Sequence, residues 1–364
     1  MDIFCTHIRL VNYKSHEDST FLFDKKINCI IGNNGVGKTN LLDAVYYSCM
    51  AKSYFVHSEQ WVLRAGADFF KLQAKFFGDN QQKEVVLQWS PSGKKDLYIN
   101  QVRQDRISEL VGKFPVVFFS PNDSILIYGG SEERRKFMDS TLCQIDKSYL
   151  EDLMKYNKIL AQRNAQLKFM AEDSTPNTML LEIYDAELST LAHTIYTKRK
   201  QWIKDFSVYF ETFYHSISNS KESVSIFYTS ELEERSMMEW FSMLRATELI
   251  SGRTSKGIHH DDLIFEIKEM SLKRSGSQGQ QKTFLLALKL AQYALLKEKR
   301  NRLPIFLFDD IFDKFDAGRM ERIFALLQKE GMGQIFMSDT DKARILPFLE
   351  RNFSHYTIIE IGKV

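Results

Sequence analysis

Two short clusters, far apart in the chain, carry residue types that could handle phosphate. The first is Gly32-Asn33-Asn34-Gly35-Val36-Gly37-Lys38-Thr39, which fits the pattern G-x-x-x-x-G-K-[ST]. Its glycines let the backbone turn tightly and aim N–H groups at phosphate oxygens. Lys38 would reach the β- and γ-phosphates, and the Thr39 hydroxyl would ligate Mg²⁺. The second cluster is Asp309-Asp310, closing the apolar run Pro304-Ile305-Phe306-Leu307-Phe308. There Asp309 would hold Mg²⁺ through its water shell, and Asp310 would orient or deprotonate an attacking water. Alone, an acidic pair at a strand end reads as two solvated acids. Beside the glycine-rich loop it reads as the other half of a nucleotide site.

The surrounding elements suit that task. Ile27-Asn28-Cys29-Ile30-Ile31 is a β-prone run that predicts a buried strand leading into the loop. A helix predicted over Lys38 to Met50 would present its positive N-terminal end to the same anion. The run ending in Asp309 predicts a buried parallel strand whose C-terminal edge faces a ligand. A third cluster, Ser275-Gly276-Ser277-Gln278-Gly279-Gln280-Gln281-Lys282, precedes a helix predicted over Thr283 to Arg300. Ser277, Gly279 and Gln280 read in two ways. They suit a polar loop whose serine caps the helix. They equally suit a hydroxyl and a helix N-terminus that grip a phosphate.

By pattern the chain divides into residues 1–130, 131–221 and 222–364. The first part mixes strand and helix, with a β-hairpin predicted from Val85–Trp89 and Leu97–Asn100 around Pro91-Ser92-Gly93. In the second, Leu142, Ile145, Tyr149, Leu153, Tyr156 and Leu160 recur every three or four residues, as do Leu181, Tyr184, Leu188, Ile195, Trp202, Phe206 and Phe213. Two long amphipathic helices broken near Ser174-Thr175-Pro176-Asn177 fit this period, as an antiparallel arm. A strand at Ser223–Tyr228 would return the chain toward the first part, followed by a helix near 231–247. The expected fold is therefore α/β, a mixed sheet with helices interrupted by an α-helical arm insertion.

Composition excludes few functions. A length of 364 residues allows a well-buried core in two or three units. The hydrophobic fraction of 44% is ordinary, and no apolar run approaches a membrane span, so no membrane partner is expected. Met1-Asp2-Ile3-Phe4-Cys5 lacks a secretory pattern, and Cys5, Cys29, Cys49 and Cys143 show no C-x-x-C spacing. Reduced thiols in a cytoplasmic protein are expected. A net charge of +2 leaves any nucleic-acid face to local clustering.

The Ser277-Gln278-Gly279-Gln280 segment resembles the S-x-G-Q signature of ABC-type ATPases, in which one subunit's signature closes over ATP held by the other's loop. More specifically, the chain resembles the RecF family of bacterial recombination-mediator ATPases, related to the SMC heads. Ile8 to Ser15 resembles that group's opening strand and N-[FY]-[KR] turn. Gly129 to Asp139 resembles its G-x-P-x-x-R-R-x-F-[LM]-D segment, and Gly257 to Leu263 its G-P-H-R-x-D-L segment. Ser277 to Thr283 resembles S-x-G-Q-Q-R-T, and Asp309-Asp310 the paired acids. Departures are Ser131 and Ile258 in place of prolines, His260 in place of arginine, and Asp313-Lys314-Phe315 in place of S-E-L before Asp316, the acid matching the D-loop. Gln334 to Asp339 holds no switch histidine, which transporter ATPases carry there. The resemblance implies a P-loop ABC-type ATPase head with an inserted helical arm, using ATP and Mg²⁺. It further implies weak DNA-stimulated ATPase activity, an ATP-dependent homodimer on duplex DNA near single-strand gaps, with single strands also possible, and recombinase loading with RecO and RecR partners. A transporter-type nucleotide-binding subunit and a nucleotide-gated DNA clamp are the alternatives.

DNA-contacting residues are less legible. Lys155, Lys158, Arg163 and Lys168, with Lys198, Arg199 and Lys200, make either a basic stripe for phosphates or a solvated helix face. Arg134 and Arg135 read equally as DNA contacts and as structural salt bridges.

Overall fold

The computed structural model describes residues 3–172, 178–219, 222–310 and 317–362, which form two compact units. The first unit comprises residues 1–124, 212–221 and 277–364, and the second residues 125–211 and 222–276. This division differs from the boundaries expected at 130 and 221, in that residues 222–276 group with 125–211.

The chain opens with β1 (Phe4–Tyr13), β2 (His16–Leu22) and β3 (Ile27–Ile31), then α1 (Lys38–Met50), the predicted helix. β4 (Phe70–Gly78), β5 (Gln81–Trp89), β6 (Asp96–Ile99), β7 (Val102–Arg103) and β8 (Val116–Phe119) complete this stretch. Along β4, Phe70, Leu72, Ala74 and Phe76 alternate inward, the two-residue period of a sheet covered on one face. β5 and β6 pair antiparallel, as the predicted hairpin requires.

The second unit holds α2 (Ile125–Tyr128), α3 (Ser131–Ile145), α4 (Lys147–Glu172) and most of α5 (Met179–Ser218). The expected turn at 174–177 lies outside the described residues. One predicted long helix is in fact two. The Asp146 carboxylate accepts N–H bonds from Ser148 (2.8 Å) and Tyr149 (3.2 Å), which caps a new helix and ends the old one. Next come β9 (Val224–Thr229), α6 (Met237–Ser251), β10 (Asp262–Ile267), β11 (Met270–Ser271) and α7 (Leu272–Ser275). β9 does not return to the first unit as expected; it pairs antiparallel with β10. The helix expected near 231 starts at Met237, because Ser236 and Glu239 build a capping box there.

Two buried arginines hold this unit together. Arg199 reaches Asp139 (2.9 Å), Asp261 (2.6 Å) and the Ile258 carbonyl (2.8 Å). Arg163 pairs with Asp185 (2.6 Å) and Glu248 (2.8 Å) and lies 4.0 Å over the Phe241 ring. Neither belongs to a DNA-facing stripe: their side chains are 2% and 0% exposed. Lys155, Lys198 and Lys200 pair with Glu187, Asp146 and Glu233, leaving Lys158 and Lys168 as the other exposed cations of that set. Arg134 chelates Asp262 at 2.7 and 2.9 Å, and Arg135 donates to the Asp261 carbonyl at 2.7 Å, which favours the structural reading of both.

The chain re-enters the first unit through α8 (Gln278–Arg300), β12 (Ile305–Phe308), α9 (Ala317–Lys329), β13 (Ile335–Asp339), α10 (Lys342–Asn352) and β14 (Thr357–Glu360). One sheet has the order β2-β1-β4-β5-β6-β7 and is antiparallel; the other, β14-β3-β13-β12-β8, is wholly parallel. β3, β8 and β12 are buried at every residue, as expected of parallel strands covered on both faces. α1 packs on β1 and β4 of one sheet and on β8, β12 and β13 of the other. This explains why it is buried nearly all round.

Arg199→Met leaves Asp139 and Asp261 without their cation. It should lower stability by about 3–5 kcal/mol in urea unfolding. A cost below about 1 kcal/mol would mark Arg199 as a surface charge instead.

Candidate functional site

The phosphate loop leaves β3 at the sheet's C-terminal edge and enters α1. Its last glycine, Gly37, is the α1 N-cap at φ 104°, in the left-handed region that a side chain rarely adopts. A Cβ there would also lie 2.6 Å from the Ser15 hydroxyl, in the turn between β1 and β2. No side chain caps α1, so its first N–H groups point into the loop. Asn40 donates to Ser15 Oγ at 2.9 Å, and Lys14 pairs with the buried Asp43 of α1 at 2.7 Å. The opening turn thereby braces the start of α1.

The predicted residues converge. Lys38, buried, donates to the carbonyls of Gly32 (2.8 Å) and Asn33 (3.0 Å), which holds its ammonium over the loop. Thr39 Oγ1 donates to Asp309 at 3.0 and 3.1 Å, closing a contact across 270 residues of sequence. Asp309 ends β12 beside the loop because β12 pairs with β13, and β13 with β3. Asp310 sits at φ 47°, so the backbone turns sharply off the strand at the second acid. Asn33, Asn34, Gly35 and Val36 form the loop between.

Sequence reasoning missed Ser338. Its hydroxyl donates to Asp309 at 2.7 Å and accepts the Asp310 N–H at 3.0 Å, so it orients the acidic pair. The available signal was the Ser338-Asp339 pair closing the apolar run Ile335 to Met337. Burial pushes the Asp309 carboxyl above the usual carboxylate range; the Asp310 charge adds to this, while bonds from Ser338 and Thr39 oppose it. No cluster of three metal-ligating side chains exists among the described residues. One hydroxyl and one carboxylate side by side fit a Mg²⁺ ion that takes its other ligands from phosphate and water.

The signature segment forms the start of α8, five residues earlier than the predicted Thr283. Ser277 Oγ accepts the Gln280 N–H (3.3 Å), and Gln280 Oε1 accepts the Ser277 N–H (2.8 Å), a capping box. A Cβ on Gly279 would lie 2.8 Å from the Arg319 guanidinium, so α9 packs where that glycine leaves room. The helix-cap reading is thus realised. Asp313 to Asp316, with the expected D-loop acid, lie outside the described residues.

The RecF/RecN/SMC N-terminal domain model matches residues 4–346. A DNA replication and repair protein RecF from Flavobacterium johnsoniae is 40% identical over 354 residues, covering 97% of this chain and 99% of the relative. Its counterpart from Bacteroides thetaiotaomicron is 39% identical, covering 98% and 96%. The solved "recombination mediator protein RecF-ATPrS in RecFOR pathway" superposes with a TM-score of 0.87 at 26% identity, covering 99% of this chain and 96% of that one. An Smc head domain from Pyrococcus furiosus shares the fold at a TM-score of 0.55 and 16% identity, covering 99% and 94%. With an ABC-type head fold, a glycine-rich loop meeting its acidic pair, and near full-length similarity at about 40% identity, the chain belongs to the RecF family.

Proposed function

We propose that this protein is a DNA-binding ATPase of replication and recombinational repair. It binds ATP with Mg²⁺ at residues 32–39, dimerises on duplex DNA near single-strand gaps, and helps load recombinase together with RecO- and RecR-type partners in the bacterial cytoplasm. The observation that carries the reading is the Thr39–Asp309 contact, which joins the phosphate loop to the acidic pair. The RecF relatives favour repair over a transporter subunit.

In this reading the N–H groups of Gly35, Gly37, Lys38 and Thr39 bind β-phosphate oxygens, and Lys38 turns from the loop carbonyls toward the β- and γ-phosphates. Mg²⁺, held by Thr39 and Asp309, would neutralise charge on the phosphate oxygens. Asp310 orients the attacking water and accepts its proton, while Ser338 fixes the acid's backbone. Ser277, Gly279 and Gln280 at the N-terminus of α8 close on the γ-phosphate held by a second copy. The γ-phosphate then favours the paired state, and its hydrolysis withdraws that contact. Pairing places two DNA-binding surfaces on one duplex and raises avidity without new contacts.

Lys38→Ala should weaken ATP binding by roughly 30-fold or more in a titration with a fluorescent ATP analogue. Unchanged affinity would refute the loop assignment. Asp310→Asn should retain ATP yet slow hydrolysis by about 100-fold, and wild-type turnover would move the catalytic role elsewhere. Ser277→Arg should bind ATP as a monomer; light scattering that still shows an ATP-dependent dimer would sink the composite site.

A further inference from the structure

The phosphate loop is gripped by a segment more than 300 residues downstream in the sequence. β14 runs parallel to β3 up to the pair Glu360↔Ile31, and the next residue, Ile361, donates its N–H to the Ile31 carbonyl at 2.8 Å. Its own carbonyl then lies against the loop: a Cβ on Gly32 would fall 2.5 Å from Ile361 O and 2.9 Å from Val36 Cγ2. Gly362 follows at φ 84°, and a Cβ there would fall 2.9 Å from Val36 Cγ1. Gly32, Val36, Ile361 and Gly362 thus form one tight contact in which two members have no room for a side chain. On the other flank, the Gly32 N–H reaches the Asp339 carbonyl of β13 at 3.4 Å.

The helix between these strands fixes both grips. α10 connects β13 to β14, and its first residues bind both strand ends: Arg344 pairs with Asp339 at 2.7 Å and Lys342 with Glu360 at 2.7 Å. The loop must point successive N–H groups at one anion, and a loop left free would lose conformational freedom on binding, at a cost to affinity.

We propose that Ile361 and Gly362 are positioning residues of the phosphate site, holding the Gly32–Val36 backbone in its anion-binding shape so that nucleotide affinity depends on them. The inference rests on reading residues 32–39 as the nucleotide loop.

Gly362→Asn is the informative change, because asparagine tolerates the left-handed backbone while its Cβ still meets Val36. In the full-length protein it should weaken binding of a fluorescent ATP analogue roughly tenfold, with the nucleotide-free unfolding midpoint close to wild type. In a Val36→Ala background the same substitution should cost less, since the methyl groups it strikes are gone. Equal affinity of wild type and Gly362→Asn, with Lys38→Ala still binding roughly 30-fold or more weakly, overturns this inference alone. Failure of the wild type to bind overturns the nucleotide reading first. Should Gly362→Asn also unfold more readily, the Val36→Ala background decides. Affinity that recovers there supports the contact, and an undiminished loss overturns it.

Discussion

The parallel pairing of β3, β13 and β12 is the constraint on which the rest depends. Each strand ends at the same sheet edge, and each delivers one part of the site there. β3 delivers the loop, β13 delivers Ser338, and β12 delivers Asp309 and Asp310. Parallel strands require crossover connections, so these parts must be remote in sequence. A one-residue slip between β12 and β13 would turn the acid away from the serine, because side chains alternate faces along a strand. The site is therefore accurate only as far as the sheet register is.

α1 sits at the centre of that constraint. Its N-terminus closes the glycine-rich loop, while its body is buried between the two sheets of the first unit. Such a helix has no solvated face on which to move. Asp43 adds a polar anchor within this core, accepting bonds from Tyr13 (2.9 Å) and Ser53 (2.8 Å) besides its ion pair with Lys14. The signature helix is fixed in a comparable way. Lys289 of α8, buried, pairs with Asp123 at 2.9 Å and donates to the Tyr54 hydroxyl at 2.8 Å. Burial holds its ammonium below the usual lysine range, and the nearby Asp123 charge partly restores it. Both helices that carry the glycine-loop and signature motifs thus hold a buried ionic contact within their packed cores.

The helical unit uses charge differently. Arg199 and Arg163 take cationic side chains out of water, which is costly unless the hydrogen-bond partners are complete. Asp139, Asp261 and Asp185 supply hydrogen bonds and Glu248 an opposite charge, from four different elements or turns. Such pairs fix how α4 and α5 are arranged against the 254–262 segment. Any phosphate-binding surface on this unit must accordingly be built from cations other than these two.

Local sequence decided whatever depends on short-range chemistry. The glycine spacing of 32–37, the bounds of α1, the hairpin of β5 and β6, and the acids after β12 were all legible, because turn geometry, helix period and apolar runs are local properties. Tertiary structure decided the rest. The break at Asp146 was invisible because the hydrophobic period runs across it, and only the cap marks it. Arg163 and Arg199 looked like surface cations because a sequence does not show which face of a helix will be covered. Ser338, Ile361 and Gly362 gained their places only when β13 and β14 flanked β3, and no local pattern near residue 32 names the strands that will lie beside it.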